Sequence, residues 1–150
     1  MGVAAQIANL LANDAVLAAV LTGGVWTRPL KREGPGATPE AFAPSGQVRP
    51  AAVVRDGGEA ADGAGPDGAY LGYPQVFLYA PATANGRAAL ESAFARIVEL
   101  LHNASVVGAG ESGAGVRIAS RLGIDDDPVL AGTVMDMIRL QVDGLWRDAA

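Results

Sequence analysis

Cysteine is absent from this 150-residue chain, and histidine occurs once, at His102. The first absence removes disulfides and thiolate chemistry and leaves the redox compartment open. The second removes any metal site built from several imidazoles, and any mechanism that needs two of them. Aromatic residues are only 5% of the chain, so a core must come from small and aliphatic side chains, of which alanine alone supplies 30. Cations are in deficit too: ten arginines and one lysine stand against 16 carboxylates, a net charge of −5. A protein that grips nucleic-acid phosphates carries a basic patch, and no run of Arg or Lys supplies one. Contact without grip, as in a channel that DNA slides through, is what this composition allows. Long apolar runs are also missing. Val3–Leu21 comes nearest, but it has no basic flank and is interrupted by Gln6, Asn9, Asn13 and Asp14. It reads as an amphipathic helical region, not as a signal peptide or membrane span.

What the chain has is apolar mass and two stretches rich in glycine and proline. Half of its residues are hydrophobic, enough for one domain over residues 1–150. Thr27–Val48 and Asp56–Gly68 hold 13 of the 29 Gly and Pro residues. Ordering that much loop costs entropy that its own contacts do not recover, so both stretches read as arms that order against a partner.

Periodicity and capping residues place the regular elements. Ile7, Leu10, Leu11, Leu17 and Leu21 recur at helical spacing, and Asp14 can cap a second start, giving Val3–Ala12 and Ala15–Leu21. Short strands follow at Val25–Thr27 and Ala51–Val54. Gln75–Ala80 is apolar on both faces, so it is expected to be covered on both sides, by helices or by another subunit. Thr83 caps a helix running to about His102, with Leu90, Phe94, Ile97 and Leu101 in one stripe facing the sheet and Arg87 and Glu91 exposed. Val116–Ile124 alternates Val116, Ile118, Leu122 and Ile124 with Arg117, Ala119 and Arg121 on a wet face. Asp125–Pro128 then turns the chain into a last strand, Thr133–Asp143. The fold class is α+β, a mostly antiparallel sheet packed by two helical elements.

None of the chemistry-bearing strings stands up as an active site. Gly108–Gly113 matches G-x-G-x-x-G, but it leaves a helix and enters a strand, the reverse of the order that aims a helix N-terminus at a pyrophosphate. It reads as a connector. Asp125–Asp127 offers hard oxygen ligands, yet adjacent residues point apart, so a solvated turn is expected. His102 falls at a helix end, and Ser92, Ser105, Ser112 and Ser120 lie outside any G-x-S-x-G elbow. Asn103-Ala104-Ser105 fits the glycosylation string without a secretion signal to give it meaning. No catalytic, cofactor-binding or metal residue is assigned. Trp26 and Trp146 are large aromatics near strand ends, the kind of side chain that anchors interfaces. Arg117, Arg121 and Arg139 are candidates for opposite-charge pairs with a neighbouring subunit.

The order of elements resembles the tail terminator (tail completion) proteins of tailed bacteriophages. The resemblance lies in the N-terminal helix broken at Asp14, Leu17, Leu21 and Gly24-Val25-Trp26, then in Arg49–Val54 and in Tyr73–Tyr79 feeding the helix Arg87–Leu101, with a closing hairpin. It implies a structural, non-enzymatic virion protein without cofactors. Copies would form a ring, as a rule a hexamer, that caps the tail tube of a siphophage and joins it to the head-side connector. Its partners would be its own copies, the major tail tube protein and the connector, with DNA passing through the lumen unbound and no membrane involved. It would reside in the tail or neck of the virion after assembly in the host cytoplasm. The length of Thr27–Val48 departs from the family pattern. A head–tail connector or head-completion protein is the nearest alternative; a small hydrolase or ligand-binding domain using Gly108–Gly115 is the alternative from another class.

Overall fold

The structure, a computed structural model, describes residues 2–61, 69–102, 111–112 and 115–147. Among these residues three α-helices lie on one face of a mixed, mostly antiparallel sheet, the α+β arrangement that the sequence predicts. Helices α1 (Val3–Ala12) and α2 (Ala15–Val20) are separate because the Asp14 carboxylate caps α2, accepting from the Leu17 N–H at 2.9 Å. Helix α3 (Ala84–Leu101) starts in the same way, with Thr83 Oγ1 accepting from the Gly86 N–H at 3.0 Å. Gly86 is buried, and a Cβ there would stand 1.9 Å from the Pro81 carbonyl oxygen. Only glycine lets α3 leave the sheet this tightly.

The described residues form nine strands: β1 (Val25–Trp26), β2 (Ala51–Arg55), β3 (Glu59–Ala61), β4 (Ala69–Gly72), β5 (Gln75–Pro81), β6 (Glu111–Ser112), β7 (Val116–Arg121), β8 (Asp125–Asp126) and β9 (Thr133–Arg147). Strand β9 is the axis. One of its sides pairs with β5 and then β4, the other with β8, β7 and β6, all antiparallel. β2 pairs with β5 and β3 with β4, while β1 joins β2 in the one parallel pair. β2 and β3 are thus two halves of one kinked ribbon, as are β4 and β5, and the Tyr73 N–H bonds the Gly58 carbonyl across the kinks at 3.0 Å. Part of Asp56–Gly68, expected to be loop, is therefore strand; 62–68 lie outside the described residues.

Alternation along the strands divides the sheet. Val54, Val76, Leu78, Val134, Ile138, Leu140 and Val142 face the helices and pack on Ile7, Leu11, Leu17, Leu90, Ile97 and Leu101, all essentially inaccessible to water. Each such side chain contributes about 1.5–3 kcal/mol by leaving water. Phe94 is only half-buried, and Ala93 takes the innermost place beside it. Thr27–Val48 also differs from expectation. Instead of lacking apolar surface, it folds over the other face of the sheet as a satellite core of Ala41, Phe42, Val48 and Ala51 against Trp26, Leu30 and Tyr79. Thr38 is fully buried there, and its Oγ1 accepts from the Lys31 N–H at 2.9 Å.

A further difference lies in β7. Ile118 stands opposite Leu140, but Ser120 stands opposite Arg139 and Arg121 opposite Ile138, so one extra residue is inserted at Ala119. A bulge of this kind inverts the alternation beyond it. Arg121 consequently points to the helix-covered face, and Leu122, expected inside, is 64% exposed.

Candidate functional site

The positions with chemical potential are scattered. His102 is the exposed C-cap residue of α3, its backbone N–H bonded to Val98. Ser92 and Ser120 are exposed on α3 and β7; Asn103–Ser105 and Gly108–Gly110 lie outside the described residues, and Ser112 is described only as a backbone position in β6. Asp125, Asp126 and Asp127 make the tight corner before β9. Asp125 Oδ1 accepts from the Asp126 N–H, and Asp127 Oδ1 from the Val129 N–H at 2.9 Å. The oxygens of Asp125 and Asp127 thus shape a turn, and among the described residues no group of three potential ligands comes together.

Of the five positions nominated for interfaces, four have described side chains, and these lie on three strands, β1, β7 and β9. Trp26 is half-buried at the sheet edge, its Nε1 donating to the Gly23 carbonyl at 2.8 Å. Arg117 is exposed on β7 opposite Gln141. Arg139, exposed on β9 between Gln75 and Ser120, lies 4.5 Å from the centroid of the Tyr73 ring. The backbone of Trp146 pairs with Ala69 and Ser112. Arg121 is committed within its own subunit. Its Nε donates to the buried carboxylate of Asp136 at 2.7 Å, an Nη2 reaches Glu91 at 3.0 Å, and the guanidinium covers the Phe94 ring at 3.9 Å. Desolvation opposes the Arg121 charge, but the bonds from Asp136 and Glu91 outweigh it and its pKa rises. Glu91 is thus exposed yet engaged. At the other end of α3, Arg96 forks onto both oxygens of Asp14 at 3.0 and 2.7 Å and reaches Glu99 at 3.0 Å. Those bonds, with the Leu17 N–H, hold the Asp14 carboxyl down at about 2.

What the sequence reading missed is a gathering of cations on the arm Thr27–Val48 and its exit. Arg28 lies 4.9 Å from the Trp26 ring centroid and donates to the Ala37 carbonyl; Arg32 lies 4.9 Å from that of Phe42 and donates through Nε to Gly46. Lys31 bonds the Pro35 carbonyl, and Arg49 leads out of the arm into β2. The signal was present as four of the chain's eleven cations between positions 28 and 49, but Arg28, the Lys31-Arg32 pair and Arg49 are too spread along the chain to look like a patch until the arm folds. The same side of the sheet leaves Phe77, Met135 and Met137 half-buried, in a row beside the arm. The apolar second face of β5 is therefore covered at Tyr79 by the arm and only partly closed at Phe77. Burial and the charge of Asp127 push the Tyr79 hydroxyl above its ordinary pKa, against the opposing charge of Arg55.

Among the described residues the arrangement is a helix-backed sheet with a partly open outer face and a folded cationic arm. Comparison places the fold more closely. The chain is similar to one in the solved structure described as the virion of a native gene transfer agent (GTA) particle, with a TM-score of 0.65 and 19% identity over 95% of this chain and 93% of that one. At that identity the likeness establishes the shared fold. No family model matches the sequence, and no curated protein matches it.

Proposed function

We propose that this chain is a single-domain structural protein of a phage-like virion, and within that class a tail terminator. Copies of it form a closed ring, a hexamer, that caps the tail tube and presents a surface to the head-side connector. The observation that carries this reading is the fold shared along nearly the whole chain with a component of a gene transfer agent virion. The element order that resembles tail terminators supports the finer assignment. So does the open outer face, where Phe77, Met135 and Met137 keep partial exposure that a neighbouring copy would remove. The ring's partners are its own copies, the major tail tube protein and the connector; it works without cofactor or catalysis, in the virion after assembly in the host cytoplasm. DNA passes through the lumen without being held, in keeping with a subunit charge of −5.

Native mass spectrometry of the purified chain tests the ring: six copies of 15.2 kDa are expected at about 91 kDa. Electron microscopy of the particle tests its place, which should lie between the tube and the connector. A ring on the capsid side of the connector would make it a head-completion protein. A monomer in the virion, or a lumen lined by arginine that retains DNA at physiological salt, would overturn the proposal.

A further inference from the structure

The charge of this subunit is unevenly shared. Residues 27–49 carry four cations against two carboxylates, while the remainder carries seven against fourteen. The arginines against α3 and the cations of the arm are also treated differently. Arg87, Arg96 and Arg121, on or against α3, each meet a carboxylate of their own subunit. Arg28, Lys31 and Arg32 instead bond backbone carbonyls, and two of them are held over aromatic rings. Among the described residues no carboxylate stands within ion-pair reach of these three or of Arg49. Their positions are fixed while their charge is not neutralised.

Two of them border a cavity of about 370 Å³ whose lining includes Arg32, Glu33, Pro39, Phe42, Pro44 and Arg49. The Nε of Arg32 is used by Gly46, which leaves its terminal amino groups for an incoming acceptor. Phe42 and the prolines make part of the walls apolar. Glu33 limits the surplus to a single positive charge, too little to hold a run of phosphates but suited to a short acidic segment with an apolar tip. This chain carries such a segment. Asp125 and Asp126 are exposed at the β8 corner, the side chain of Asp126 at 80%, and Val129 at the tip of the turn is 84% exposed. The 3.8 Å approach of Arg87 to Asp126 is too solvated to neutralise it.

The sheet sets the two features apart. Ala51, Tyr79, Met135 and Asp125 lie in one row across β2, β5, β9 and β8. That row spans three interstrand spacings, about 14 Å, with the arm at one end and the acidic corner at the other. A surface and its complement on opposite flanks of one subunit generate a head-to-tail contact, the kind that closes into a ring. We infer that the arm cavity bounded by Arg32 and Arg49 receives the Asp125–Val129 turn of the next copy. The inference rests on the ring reading above and names the contact that builds it.

Two charge reversals test it, Arg32→Glu/Arg49→Glu and Asp125→Arg/Asp126→Arg, with Asp127 left in place to hold the Val129 N–H at the tip of the turn. Each variant is first shown to melt cooperatively as a folded subunit. Alone, each should raise the apparent dissociation constant of assembly by roughly thirtyfold or more at 0.15 M salt, as loss of close interfacial charge pairs does. Mixed in equal amounts they should reassemble, because every arm then faces a turn of opposite charge in an alternating ring. A wild-type monomer would remove the ring reading and this contact with it. A wild-type ring that both variants still form, or a mixture that fails to reassemble, would overturn the contact and leave the ring. Binding of a 30-base-pair duplex by the wild type at 0.15 M salt, abolished in Arg32→Glu/Arg49→Glu while the ring persists, would mean that the arm faces nucleic acid and would also overturn it.

Discussion

Replacing Arg121 by alanine should cost far more stability than replacing Arg87, although both arginines bridge α3 to the β7–β9 region. The carboxylate of Asp136 is wholly inaccessible and has three donors: Arg121 Nε at 2.7 Å, the Met137 N–H at 2.8 Å and the Gly123 N–H at 3.0 Å. Removing one partner of a buried pair leaves an uncompensated charge at about 3–5 kcal/mol. The Arg121 side chain is 25% exposed, so water can partly replace it, and two N–H donors remain. These facts bring the ion-pair loss to about 2 kcal/mol, to which the lost cover of Phe94 at 3.9 Å adds about 1. A total near 3 kcal/mol corresponds to a fall in Tm of roughly 6–12 °C at this chain length. Arg87→Ala breaks a pair 3.8 Å long between side chains 50% and 80% exposed, and should change stability by less than about 0.5 kcal/mol. Urea unfolding at matched protein concentration measures both. The Arg121→Ala/Asp136→Asn double variant should be more stable than Arg121→Ala, because it no longer buries a lone charge while Asn still accepts from the two N–H groups. Equal losses for the two arginines, or a double variant weaker than the single, would refute the reasoning.

Gly86→Ala should destabilise by about 1–3 kcal/mol, although alanine is the better helix former, because its Cβ would lie 1.9 Å from the Pro81 carbonyl oxygen; a raised Tm would show that α3 can shift. The Asp14 carboxyl, held at about 2 against an ordinary 3.8, stabilises the fold above pH 4 and loses that contribution as pH falls through 2. Thermal melts of the wild type should therefore decline between pH 4 and 2 more steeply than those of Asp14→Asn, and parallel declines would exclude Asp14 as a source.

The elements that were legible in the sequence are those specified by neighbours in the chain. Asp14 and Thr83 announce the starts of α2 and α3, and the apolar alternations announce β5 and β9. Strands β3, β4 and β6 sit within or beside glycine-rich runs and exist because β9, β4 and their partners are opposite them, which local propensity does not register. The insertion at Ala119 is equally silent in the pattern, yet it decides that Arg121 braces the core while Arg117 stays outside. Glycine and proline in Thr27–Val48 read as an arm without a core of its own, because Ala41, Phe42 and Val48 are too widely spaced to signal one. The cationic site depended on that folding and was hidden with it.

Strand β9 has a consequence for the order of events during synthesis. Among the described residues it pairs with five other strands, and every one of them is made before it. Some fifty residues separate the end of β5 from the start of β9, which at ~5–20 residues per second is a delay of several seconds. Throughout that interval β5 can take β2 on one side while its other edge, apolar on both faces, stays open. Helix α3 follows β5 immediately and can shelter a face of it but not the edge. The growing chain therefore passes through a stage at which a second nascent copy could pair where β9 belongs, and slowing translation across Ala84–Asp127 should increase aggregation rather than relieve it.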